Sequence, residues 1–177
     1  MIINLLYSDH EEDNMPLDLS FLETCSEKVQ NKIRNIIDQG ELDAYIKDLY
    51  PEIHNISTDK ALFAYAQEIR KKYMRKAPPA HKVVFDDGDD NVYNGLGDNI
   101  NELILTDNGH KIKNVIRISS LFKSAPLELF HMVLVHELAH LKERDHSKNF
   151  FRLCQHMDDD YEQHEFDLHL FLISKGY

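Results

Sequence analysis

The sequence predicts an α+β fold in which helices pack around a small, mostly antiparallel sheet. Three observations carry that expectation. Helical periodicity with capping residues fills the chain up to residue 76 and stops at Pro78-Pro79. Two short runs rich in Ile and Val then flank Asp107-Asn108-Gly109, and after Pro126 the helical spacing returns. No internal repeat, linker or low-complexity segment divides the 177 residues, so one domain is expected over 1–177. Its helical part covers about 18–76 and its sheet and site core about 78–177.

The first eighteen residues form an acidic lead-in. Ser20 can cap a helix that carries Leu22, Val29, Ile33, Ile36 and Ile37 inward and stops at Gly40. Glu41 to Tyr50 makes a shorter helix that ends before Pro51. Thr58 caps the next, with Asp59 in its first turn and Leu62, Phe63, Ala66 and Ile69 facing the core. Arg70, Lys71, Lys72, Arg75 and Lys76 gather at its C-terminal end, where the helix dipole favours cations. Lys82 to Phe85 reads as a strand and Asp86, Asp87, Gly88, Asp89 and Asp90 as a turn, since the calcium-loop glutamate is missing. Leu103 to Thr106 and Lys111 to Ser119 read as a hairpin, with Ile112, Ile116 and Ile118 on one face. A helix from Pro126 to near Arg144 follows, then one capped by Asp145 or Ser147 with Phe150, Phe151, Cys154 and Met157 at helical spacing. The last helix runs from about Tyr161 to Ser174 and offers Leu168, Phe171 and Leu172 to the core.

Composition excludes several classes. A hydrophobic content of 42% with 10% aromatic residues rules out a disordered chain. The net charge of −11 opposes binding of nucleic acid by the whole surface and leaves only a local patch such as Arg70 to Lys76. Cys25 and Cys154 lie far apart with no Cys-x-x-Cys, so neither a disulfide scaffold nor a thiolate metal site is expected. The apolar start at Ile2 to Tyr7 is too short for a signal peptide, and no apolar run can span a membrane. A cytoplasmic location is expected.

The chemistry is concentrated in His136-Glu137-Leu138-Ala139-His140 with His146 beyond it. Residues four apart share a helix face, so His136 and His140 can reach one ion, and a chain reversal would bring His146 to it as a third ligand. That leaves a fourth tetrahedral position for water, which Glu137 can hydrogen-bond as general base. Phe130, Leu134, Leu138, Leu141, Val135, Ala139 and Met132 make the rest of this helix apolar, which puts two imidazoles and a carboxylate in the interior. Buried without partners they would be expensive, and a metal ion is the simplest partner. Zinc suits three histidines best.

The segment Val135 to Glu143, with His146 and Phe150, resembles the zinc site of the YgjP-like metallopeptidases, relatives of the SprT-like and WLM metalloproteases. The likeness extends to Thr58 to Leu62, Arg75 to Pro79, Ile116-Arg117, Ala125-Pro126 and Glu165 to Asp167. It implies a zincin-like core with additional N-terminal helices, His136, His140 and His146 as zinc ligands, Glu137 as catalytic base, and a peptide or protein substrate. Ile116 to Ser120 would be the edge strand that pairs with this substrate. The spacing also matches the metzincin pattern, except that Glu143 stands where that group has glycine. Tyr161, His156 and His164 are candidates by position for stabilising an oxyanion. The competing possibilities are a zinc-binding scaffold without catalysis and a protease acting on nucleic-acid-bound proteins through Arg70 to Lys76.

Overall fold

The computed structural model describes residues 19–87, 97–106 and 109–177, with backbone alone over 98–106 and 109–112. The acidic lead-in, the residues Gly88 to Asp90 and the turn pair Asp107-Asn108 lie outside the described residues.

The helix expected from Ser20 to Gly40 is two pieces. A 3₁₀ helix covers Ser20–Thr24, and α1 covers Glu27–Asp38. Cys25 and Ser26 between them are extended, with ψ near 159° and 150°. This break re-aims the apolar residues: Phe21, Leu22 and Ile33 are buried, while Val29, expected inward, is 38% exposed. Gly40 ends α1 as expected, at φ 70°. Its N–H donates to Ile37 O and the Glu41 N–H to Ile36 O, the paired closure that a left-handed residue after a helix permits.

Helix α2 spans Leu42–Leu49 and stops before Pro51, burying Leu42 and Ile46. Helix α3 spans Asp59–Tyr73, and Thr58 Oγ1 accepts from the Ala61 N–H at 3.3 Å. Leu62, Ala66 and Ile69 line its buried face. Two arginines near its end serve the local backbone: Arg70 Nη1 donates to Ala77 O and Arg75 Nε to Lys71 O. Arg75 thereby satisfies a carbonyl of the last helical turn, where such donors are needed, and Arg70 holds the segment that follows the helix.

Three strands form the sheet in the order β1-β3-β2, with β1 at Ala80–Asp86, β2 at Gly97–Thr106 and β3 at Gly109–Ser119. The expectation of a mostly antiparallel sheet needs correction. β2 and β3 pair antiparallel as a hairpin, but β1 pairs parallel with β3, Val83 opposite Ile116 and Phe85 opposite Ile118. The hairpin reverses direction once, so β3 runs with β1. Because β3 and not β2 docks beside β1, that junction is parallel. Of the expected Ile116 to Ser120, Ile116 to Ile118 is paired on both sides in the central strand, Ser119 pairs with Asp86 of β1 and Ser120 lies past the strand, so the segment is not a substrate-binding edge. The edge beyond the hairpin is β2, which begins at Gly97, earlier than the expected Leu103. Gly109 is already in the ladder, opposite Thr106.

Ile116 and Ile118 point into the core shared with α4, which spans Leu127–Ala139. This helix is buried around nearly its whole circumference, including Leu129, Phe130, Met132, Leu134, Val135 and Leu138. Burial of each such side chain contributes about 1.5–3 kcal/mol, so α4 is a stiff axis for whatever it carries. Ser147 Oγ accepts from the Phe150 N–H at 3.3 Å and caps α5, Lys148–Met157. Helix α6 spans Tyr161–Ser174 and buries Leu168, Phe171 and Leu172. Ile53, just before α3, makes a single antiparallel bridge to Pro126 and ties that segment to the start of α4. Among the described residues, no helix is long and apolar enough to cross a membrane.

Candidate metal centre

The motif helix ends earlier than its apolar pattern suggests, and the site depends on that. Instead of continuing to Arg144, α4 stops at Ala139 with His140 as its C-cap. In a continuing helix His136 and His146 would be roughly 15 Å apart along the axis. With the turn, the His146 Nε2 lies 3.1 Å from the His136 Nε2. The N–H groups of Lys142 and Glu143 both donate to Ala139 O, and His140 Nδ1 donates to Glu143 O at 3.1 Å. Glu143, where the metzincin pattern has glycine, thus closes the turn through its carbonyl.

All three ring systems converge. His140 Nε2 is 3.2 Å from His136 Nε2, and one nitrogen of each of the three histidines lies within 4.8 Å of the others. A carbonyl can only accept, so the Glu143 contact places the proton of His140 on Nδ1 and leaves Nε2 a bare lone pair. The Phe150 ring packs against all three imidazoles at centroid distances of 4.6–4.8 Å and closes one side of the cluster. Burial pushes the His136 imidazole well below the usual histidine range, and the adjacent His140 and His146 push it further. Burial is also the main cause of the lowered values of His140 and His146. Neutral imidazoles with convergent lone pairs repel one another but suit a cation, and the donor set therefore fits a metal ion.

Glu137 is 6% exposed and faces the start of β2. A Cβ placed on Gly97 would come within 2.7 Å of Glu137 Cγ and 3.0 Å of its Oε1, so only glycine allows this approach. The edge strand and the carboxylate are in contact here. No local signal in the sequence marks Gly97, because the collision it avoids is with a residue on another element.

Of the three positional candidates, one reaches the site. Tyr161, fully buried at the start of α6, places its hydroxyl 2.8 Å from His136 Nδ1, behind the cluster and away from the convergent Nε2 atoms. Its polar contact is with the His136 ring, on the side opposite the convergent nitrogens. His156 is exposed and packs edge-on against Tyr73, while His164 pairs with Asp158 at 2.8 Å.

A family model of the YgjP-like metallopeptidase domain matches residues 110–170, which include the three histidines, Glu137, Phe150 and Tyr161. Over 157 residues the chain is 37% identical to a UTP pyrophosphatase of Escherichia coli (strain K12), covering 88% of this chain and 93% of that protein. The chain belongs to the YgjP-like family. No solved structure matches it. The YgjP-like model and the relative carry names that point to different substrates and to one class of enzyme, a hydrolase. Hydrolase chemistry with a metal ion is what the family and the histidine cluster jointly support.

Proposed function

We propose that this protein is a zinc-dependent hydrolase that cleaves the phosphoanhydride chain of a nucleoside triphosphate, with His136, His140 and His146 as metal ligands and Glu137 as general base. Hydrolysis rests on one observation, the convergence of three neutral imidazoles beside a buried carboxylate. Zinc bonds of about 2.0–2.1 Å in tetrahedral geometry would separate ligand nitrogens by roughly 3.3–3.4 Å. The two closest separations, 3.2 and 3.1 Å, are near that spacing. Three protein ligands leave one position open, whereas a structural site takes a fourth. When bound, the ion supplies a Lewis acid and lowers the pKa of water toward neutrality.

The residues of the chain do the rest. Glu137 accepts a proton from the attacking water and returns it to the leaving group. The Glu143 carbonyl holds the His140 ring in place, and Phe150 keeps water from one side of the cluster. The nucleotide substrate is supported by the relative named for UTP, because the identity runs along nearly the whole of both chains. A triphosphate meets a chain of net charge −11, so its attraction must come from the metal and local cations. Lys142 and Arg144 lie in the turn between the second and third histidines.

Peptide hydrolysis is the second reading. It is favoured by the family description and by β2, an outer strand whose first residue touches Glu137 and to which an extended polypeptide can add by main-chain hydrogen bonds. The test compares release of pyrophosphate from UTP with fragmentation of an unfolded polypeptide, for wild type and Glu137→Gln at equal zinc loading. UTP turnover that falls about 10²-fold or more in the variant is expected. Cut polypeptide with intact UTP would transfer the site to the second reading. Equal turnover by both forms would remove Glu137 from the mechanism, and turnover of neither substrate would leave a zinc-binding scaffold.

A further inference from the structure

We infer that Arg144 and Lys148 hold the phosphate chain of the substrate, as a cationic rim on the exposed side of the histidine cluster. The inference rests on the nucleotide reading and extends it, because the three histidines and Glu137 do not by themselves distinguish a triphosphate from another hydrolysable chain. Burial falls from one histidine to the next: His136 is buried, His140 is half-buried and His146 is exposed. Phe150 closes one side of the cluster, and β2 meets Glu137 on another. A substrate therefore reaches the centre past His146.

What surrounds His146 is cationic. From Leu141 to Arg152 the chain carries Lys142, Arg144, Lys148 and Arg152 against only Glu143 and Asp145, although its net charge is −11. Arg144 and Lys148 each stand two residues from His146, so their Cα atoms lie within about 7 Å of its own, a span that such long side chains cover. Both are exposed, and neither side chain makes a hydrogen bond or an ion pair with any described residue, Glu143 and Asp145 included. The arginines of the α3 cluster differ, since Arg70 and Arg75 are engaged with backbone carbonyls. Nor does helix chemistry account for Lys148, the first residue of α5, because the helix dipole disfavours a cation at that end. Uncommitted donors beside an exposed histidine of the cluster match the oxygens of a phosphate chain. The Arg144 guanidinium can take two oxygens as a fork, and the Lys148 ammonium acts as a point charge.

Arg144→Gln and Lys148→Gln each remove one charge and keep a polar side chain. At equal zinc content each should raise KM for UTP by about 10-fold with kcat little changed, the lower end for a lost hydrogen bond to a charged group. Lys148→Arg should restore most of the lost affinity. The double variant should also weaken equilibrium binding of UTP to the zinc-loaded Glu137→Gln form, and the dependence of that binding on ionic strength should flatten. Lys71→Gln with Lys72→Gln makes the same change of net charge on α3 and should leave KM at the wild-type value. Wild-type KM in both single variants, or a rise in the α3 control equal to that of the double variant, would overturn the inference and leave the nucleotide reading standing. Loss of zinc or of kcat at constant KM would overturn it as well, by assigning Arg144 and Lys148 to the fold of the turn. Failure of the wild type to turn over UTP would overturn the nucleotide reading and the inference with it.

Discussion

Replacing Gly97 with alanine tests the contact that joins the sheet edge to the Glu137 carboxylate. The added Cβ would stand 2.7 Å from Glu137 Cγ and 3.0 Å from both Cδ and Oε1. Carbon atoms pack at roughly 3.5–4.0 Å, so something must give by about 1 Å. The nearest atom is Cγ, one bond from the Cβ that anchors the side chain, so a rotation of the far end cannot clear it. Nor can α4 retreat, since Leu134, Val135, Leu138 and Ala139 beside Glu137 are completely buried. The remaining choices are a shift of β2 or a new rotamer for Glu137. Overpacking of this kind costs about 1–3 kcal/mol, which for a chain of this size lowers the melting temperature by roughly 2–4 °C per kcal/mol. A displaced Glu137 should reduce turnover by about 10²-fold while zinc content is unchanged. Thermal melts, metal content and UTP turnover give the three readouts. A double-mutant cycle isolates the contact: in a Glu137→Ala background, where Cγ is gone, the stability loss from Gly97→Ala should largely vanish. Wild-type stability and turnover in Gly97→Ala, or a loss of equal size in both backgrounds, would refute the reasoning.

His136→Ala or His140→Ala should abolish uptake of zinc, and zinc at 100 times its dissociation constant should stabilise the wild type alone, by about 2.7 kcal/mol; a variant that retains one ion per chain would contradict the ligand assignment. For His164, burial opposes the charged form, but the hydrogen bond and charge of Asp158, helped by Asp160 and Glu128, outweigh it and raise the pKa. Stability from this pair is therefore complete below the unfolded histidine value of about 6.5 and is lost as pH rises through the higher folded value. The stability difference between wild type and His164→Gln should shrink as pH rises above that point, and denaturant titrations showing a constant difference would exclude the linkage. Lys71→Glu with Lys72→Glu should leave DNA retention at physiological salt unchanged, since Arg70 and Arg75 of that cluster already bind backbone carbonyls; a steep salt-dependent affinity lost in the double variant would reverse this.

Features set by near neighbours were legible in the sequence. Thr58 and Ser147 cap their helices, Gly40 closes α1 in the left-handed region, Pro51 stands beyond α2, and the apolar circumference of α4 marks it for the interior. Each depends on residues a few positions apart, whose steric and hydrogen-bonding preferences act before any tertiary contact forms. The His136, His140 and His146 spacing belongs to the same class, because helical geometry and one short turn relate the three side chains. Tertiary structure alone decided that β3 sits between β1 and β2, since hairpin chemistry sets strand direction but not which strand docks on a distant partner. It also decided the break at Cys25 and Ser26, which lets Phe21 and Leu22 enter a core built from remote elements. Tyr161 reaches His136 from 25 residues away, and Gly97 meets Glu137 across the gap between sheet and helix. Such contacts arise from the packing of α6 and of β2 against α4, and no periodicity or cap within any of those segments encodes them.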